Sequence, residues 1–151
     1  MLEIRPFRPE DAGSAADLIR VTLREVNRKD YPPKIINYMC SVYTPEKMVE
    51  LNAKRILLVA VDSGQVIGTT TLEGDYVGSV FVHPAWHRKG VGKGLMDSIE
   101  IIARKKGILS IQLGASITAV EFYLKLGYTQ GAKTYSEEYG TTIHMTKNLS
   151  I

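Results

Sequence analysis

The hydrophobic pattern of the chain changes period several times, and each change marks an element. LEIRPF at 2–7 reads as a short strand, and Pro9 opens a helical stretch. Within it Ala12, Ala15, Ala16, Ile19, Leu23 and Val26 follow the i, i+3, i+4, i+7 spacing of one buried face. DYPPK at 30–34 breaks the pattern, because proline lacks an amide donor and clashes with the preceding turn. A second helix is expected over 34–41. A third starts at Thr44-Pro45-Glu46, with threonine as N-cap and proline at the first helical position. ILLVAV at 56–61 and VIGTTTLE at 66–73, separated by Asp62-Ser63-Gly64-Gln65, predict a hairpin. Glu73-Gly74-Asp75 then turns the chain into YVGSVFVH at 76–83, a third strand of the same meander.

The second half returns to helical spacing. Val91, Leu95, Ile99 and Ile102 form the buried stripe of a helix over about 90–106, and Gly107 suits its C′ position. LSIQLGA at 109–115 is a strand again. Thr118-Ala119-Val120-Glu121 has the capping-box pattern for a further helix that ends near Gly127. YTQGAKTY at 128–135 and YGTTIHMTKNL at 139–149 predict two closing strands. The order strand, three helices, three strands, helix, strand, helix, two strands implies an α/β fold with a mixed sheet and helices packed on it. No repeat or linker interrupts it, so one domain over 1–151 is expected.

Composition narrows the class. Apolar residues make up 44% and charged residues 23% of the 151, an ordinary globular balance. The single cysteine, Cys40, excludes an internal disulfide. MLEIRPFRPED is charged from its third residue and has no apolar signal core, and the longest apolar runs fall far short of a membrane span. A cytoplasmic protein without membrane association is the expectation. The net charge of +3 is mild, and the basic cluster RKK at 104–106 suits a helix C-terminus, so nucleic acid is not an expected partner.

Chemistry concentrates in HPAWHRKGVGKGLM at 83–96, where Gly90, Gly92 and Gly94 crowd the start of a helix beside Arg88, Lys89 and Lys93. Glycine costs a helix about 1 kcal/mol against alanine. Bare backbone at a helix N-terminus has a compensating use: unpaired amides and the macrodipole attract a pyrophosphate. Neither common phosphate motif fits. Gly94 stands where a Walker loop needs Ser or Thr, and Leu95 where a dinucleotide fingerprint needs glycine.

Val82-His83-Pro84-Ala85-Trp86-His87-Arg88-Lys89-Gly90-Val91-Gly92 resembles motif A of the GNAT superfamily of acetyl-CoA-dependent N-acetyltransferases, V-x-P-x-x-[Q/R]-x-x-G-x-[G/A], with His87 in the Gln/Arg position. SITAVEFYLKLGY at 116–128 resembles motif B, N-x-x-A-x-x-F-Y-x-x-x-G-F, at Ala119, Phe122, Tyr123 and Gly127, with Ser116 for Asn and Tyr128 for Phe. IRPFRPEDA and HMTKNL resemble the family's termini. The resemblance implies a splayed sheet of about six to seven strands flanked by about four helices. It implies acetyl-CoA as cosubstrate, no metal, and a small-molecule or peptide amine as acceptor.

Carried over residue by residue, the resemblance implies that Phe81 and Val82 offer backbone groups to pantetheine. Amides of Arg88, Lys89, Gly90, Val91, Gly92 and Lys93 hold the pyrophosphate, and His87 adds a hydrogen bond. The Val82 N–H serves the carbonyl oxygen, and Tyr123 stabilises the departing thiolate. Many relatives carry a glutamate where this chain has Ser79, so Glu73 is the candidate base, with Asp75 and His83 as substitutes. No partner is evident for a Cys40 nucleophile, which favours direct transfer. Tyr31, Tyr38, Tyr43, Tyr135 and Tyr139, with Glu137 and Glu138, are candidates for the acceptor side. Family likeness also allows a homodimer. The rival readings are a non-catalytic acyl-CoA sensor and a small basic nucleic-acid binder.

Overall fold

Alternation along the central strands decides the layering. In β2 (Ile56–Asp62), Leu57 and Val59 join one buried cluster while Leu58 and Ala60 join another, on opposite faces of the sheet. The computed structural model describes residues 2–150. Its seven strands are β1 (Glu3–Pro6), β2, β3 (Gln65–Glu73), β4 (Tyr76–Val82), β5 (Ser110–Ser116), β6 (Thr129–Ser136) and β7 (Gly140–Asn148), ordered β1-β2-β3-β4-β5-β7-β6. On one face lie α1 (Ala12–Glu25), α2 (Pro33–Val42) and α3 (Pro45–Lys54); on the other lie α4 (Val91–Lys105) and α5 (Val120–Lys125). The five helices and seven strands follow the order the sequence pattern predicts, and the sheet has the expected mixed architecture.

Local rules account for most boundaries. Thr44 caps α3, its hydroxyl accepting the Lys47 N–H at 3.1 Å. Gly107 takes φ 78 after α4. The α4 stripe is wider than expected: Val91, Leu95 and Ile99 are buried together with Met96 and Ala103, and Ile102 is half-buried beside them. The capping box at Thr118 does not form. Residues Ile117–Ala119 make a 3-10 turn, α5 begins at Val120, and the Thr118 hydroxyl donates instead to Asp30 Oδ2 at 2.8 Å. The hydroxyl is turned toward a carboxylate that accepts its hydrogen bond, and the helix starts too late for Thr118 to be its cap.

One lock escapes periodicity altogether. Arg5 on β1 forks onto Asp11 with bonds of 2.8 and 2.9 Å, and the Arg8 N–H donates to the same carboxylate at 2.8 Å. Burial opposes the Asp11 charge, but these donors outweigh it and hold the carboxyl below its usual value. A depressed folded-state value means stability that is complete above the unfolded carboxyl's range near pH 4 and is lost as pH falls through the folded value. Asp11→Asn is therefore expected to lose about 1–3 kcal/mol at neutral pH. Denaturant titrations should show the deficit shrinking below pH 4; a pH-independent deficit would assign the loss to packing.

Two features position the site. β4 and β5 run parallel and pair only at Tyr76↔Gln112 and Val77↔Leu113, after which the strands part. Opposite β3, the register shifts between Thr69 and Thr71, so that Ser79 and Val80 bulge and Ser79 takes φ 48. The Thr69 hydroxyl fixes the bulge by donating to the Ser79 carbonyl at 2.7 Å.

Candidate active site

The loop from β4 to α4 is built in short steps. His83 Nδ1 accepts the Ala85 N–H at 3.0 Å, capping a 3-10 turn over Pro84–Trp86. His87 then reaches back, Nε2 donating to the Val82 carbonyl at 2.8 Å. Arg88 (φ 63) and Gly90 (φ 82) both adopt left-handed backbone just before α4. Reversals of this kind gather successive N–H groups into a concavity that binds anions, and the helix dipole adds positive potential there. For Arg88 the conformation costs about 1–2 kcal/mol.

The three glycines of this loop serve different ends. Gly90 supplies positive φ, with nothing within 4 Å of a would-be Cβ. A Cβ on Gly92 would stand 2.9 Å from the Phe122 ring of α5, and one on Gly94 would stand 3.0 Å from Ile4. Gly92 thus lets α5 close onto α4; it does not simply clear space for phosphate. The cations differ likewise. Lys93 donates to Asp97 at 2.7 Å, Lys89 lies 5.4 Å over the Trp86 ring, and Arg88 is exposed at the left-handed step.

Between this loop and α5 the parted strands open into a cleft of about 640 Å³. It brings together Phe81, Val82, His87, Arg88, Gly90, Val91, Gly92, Lys93, Ser116 and Tyr123. Lys89 does not line it. Because His83 N–H bonds to Ile67 O at 2.8 Å, Val82 falls in the non-bonded pair with Gly68 and turns its N–H and C=O away from β3. Phe81, in the next pair, turns its own backbone groups toward β3. Tyr123 is buried between Phe122 and Tyr128, edge-on to both at 5.0 and 5.6 Å, and its hydroxyl has no hydrogen-bond partner among the described residues. Burial pushes this phenol up, so it stays protonated and able to donate at neutral pH.

The base candidates lie elsewhere. Glu73 ends β3 at the opposite end from the motif loop, 3.3 Å from Arg55 Nε, and lines a separate cavity of about 620 Å³. Asp75 accepts from Gln112 Nε2 at 3.0 Å, and His83 is committed to its cap. None of the three lines the cleft. Glu73, the expected base, thus lies at the β3–β4 turn beside Arg55 and outside the cleft.

On the face carrying α1–α3, aromatic residues gather beside the splay. Ser79 Oγ and the Tyr43 hydroxyl are 3.1 Å apart, and Tyr43 stands edge-on to Phe81 at 5.5 Å. Burial pushes the Tyr43 phenol up. Tyr38 packs edge-on to Tyr139 at 5.8 Å and donates to Glu138 at 3.0 Å, joining α2 to the β6–β7 hairpin. Tyr31 ties the end of β5 to the start of β7, donating to Thr141 O at 2.7 Å and accepting the Ile117 N–H at 2.9 Å. Tyr135 is 70% exposed and takes no part. Sequence reasoning missed Thr22, Val26 and Asn27 as cleft walls, because their spacing announces only a helix face. Among the described residues no helix is long and apolar enough to cross a membrane.

The chain belongs to the GNAT family: residues 27–149 match the model described as acetyltransferase (GNAT) domain. In structure it is similar to a GCN5-related N-acetyltransferase from Rhodopseudomonas palustris, with TM-score 0.90, 25% identity, and coverage of 97% of this chain and 94% of that one. It has the fold of the PaiA N-acetyltransferase from Thermoplasma acidophilum in complex with coenzyme A (TM-score 0.85, 22% identity, 98% and 99% covered). In sequence it is 32% identical over 65 residues to the uncharacterized protein YyaT of Bacillus subtilis. That match spans 43% of this chain and 44% of the relative, less than half of its length.

Proposed function

We propose that this protein moves an acetyl group directly from acetyl-CoA to a primary amine of a small molecule or peptide. The observation that carries the reading is the left-handed pair Arg88 and Gly90 at the α4 N-terminus, opening onto the gap between β4 and β5. Amides from Arg88 to Lys93 suit a pyrophosphate, and the gap suits a pantetheine arm that extends the parted strand with hydrogen bonds. The fit is chemical as well as spatial, since the residues that form the concavity are backbone donors beside an exposed guanidinium.

Within the cleft the Val82 N–H, turned away from β3, is the donor for the thioester oxygen. His87 holds the neighbouring Val82 carbonyl, so its role is to set the strand's orientation rather than to reach the ligand. The attacking amine must lose a proton, since an alkyl ammonium with pKa near ~10.4 is almost wholly protonated at neutral pH, and water in the open cleft carries that proton to solvent. The Tyr123 hydroxyl donates to the sulfur as the carbon–sulfur bond breaks.

Calorimetry with coenzyme A and steady-state CoA release against an amine panel test the proposal. Tyr123→Phe removes one hydrogen bond to a charged group, about 1.5–3 kcal/mol, and should lower kcat about 10- to 100-fold with CoA affinity retained. Tight CoA binding without turnover across the panel would turn the reading into that of an acyl-CoA sensor.

A further inference from the structure

β4 lacks a side chain at Gly78, one residue before the bulge, on the face that carries α1–α3. The Arg55 guanidinium lies against that gap: Nη1 is 3.5 Å from the point a Cβ at Gly78 would occupy, and Thr71 Oγ1 is 3.3 Å from it. Glu73 holds the Nε side of the fork at 3.3 Å. Neither Nη nitrogen has a hydrogen-bond partner among the described residues, and the side chain keeps 31% of its exposure. Thr71, wholly buried beneath, has an unpartnered hydroxyl. The next residue along β4 is Ser79, whose hydroxyl meets that of Tyr43.

A guanidinium whose two-nitrogen edge is unoccupied matches a carboxylate in shape and charge, and it binds one in a fixed orientation. The Ser79–Tyr43 hydroxyls, each both donor and acceptor, suit a nitrogen a few bonds away, on the side nearer the parted strands. We propose that the acceptor is an amine that also bears a carboxylate, an amino acid in the simplest case, with Arg55 gripping the carboxylate over Gly78. This rests on the acetyl-transfer reading and names its substrate class. The Phe81 and Tyr43 rings beside the site favour an apolar side chain on that amino acid.

The test compares methionine, phenylalanine and leucine with their amides as acceptors at saturating acetyl-CoA. At least one acid should exceed its amide by about tenfold in kcat/KM, with the difference in KM. Arg55→Gln should abolish that preference by raising the acid's KM, leaving the amide's rate and the KM for acetyl-CoA unchanged. Arg55→Lys, which keeps the charge without the fork, should recover part of it. Amides that match or exceed the acids, an Arg55→Gln variant that loses both alike, or acetylation confined to amines without a carboxylate would each overturn the inference while leaving acetyl transfer standing. Failure of the wild-type chain to bind coenzyme A would overturn the acetyl-transfer reading itself, and the acceptor class with it.

Discussion

Gly92→Val will lower coenzyme A affinity about tenfold and destabilise the fold by about 1–3 kcal/mol, and both losses will run through Phe122. A Cβ at 92 would stand 2.9 and 3.0 Å from two atoms of that ring, a separation that packed carbon atoms do not tolerate. Either the ring swings into the cleft, or α5 moves and takes Tyr123 with it. Shortening the ring should relieve the strain. In a double-mutant cycle Phe122→Ala alone loses packing, but combined with Gly92→Val it should recover binding, with a coupling of about 0.5–3 kcal/mol. Strictly additive losses in melting temperature and CoA affinity would show that the valine acts on the phosphate side.

Lys147→Met should destabilise the fold by about 3 kcal/mol, or a fall of roughly 6–12 °C in melting temperature. Glu100 on α4 is 3% exposed and takes the Lys147 ammonium on one oxygen at 2.9 Å and the Tyr128 hydroxyl on the other at 3.0 Å. Arg104 is the remaining cation, at 4.0 Å. Burial and this carboxylate push the Tyr128 phenol up, so it remains a donor. Removing the lysine leaves the buried carboxylate with the Tyr128 hydroxyl and with Arg104 at 4.0 Å. Removing the charge as well, in Glu100→Leu with Lys147→Met and with Tyr128→Phe to spare the hydroxyl that Glu100 accepts, should restore much of the loss, because an apolar group of similar volume has no charge to desolvate. A combined variant no more stable than Lys147→Met alone would assign the effect to the lost lysine stem.

Patterns confined to one element were legible from the letters: the buried face of α1, the Thr44 cap, the Gly107 stop and the backbone-rich start of α4. Each rests on spacing within a few residues, where chain geometry leaves few alternatives. Contacts between distant segments were not. Thr118 has the spacing of a capping box and spends its hydroxyl on Asp30, eighty-eight positions earlier in the chain. Glu73 carries the right functional group and sits at the wrong end of its strand, a matter of register that no local pattern records. Gly92 read as room for a ligand, and its nearest neighbour proved to be a ring of α5. Arg55 gave no signal at all, since its meaning depends on an absent side chain on a strand two places across the sheet.

The last strand is not at the margin: β7 slots between β5 and β6 and supplies every ladder bond that β6 has. As the ribosome delivers the chain, β6 therefore emerges with nowhere to dock, and β5 holds to the earlier strands by two register positions alone. The ladders that join β5 and β6 across β7 can form only after residues 140–148 arrive, and until then their strand edges are open to other nascent chains.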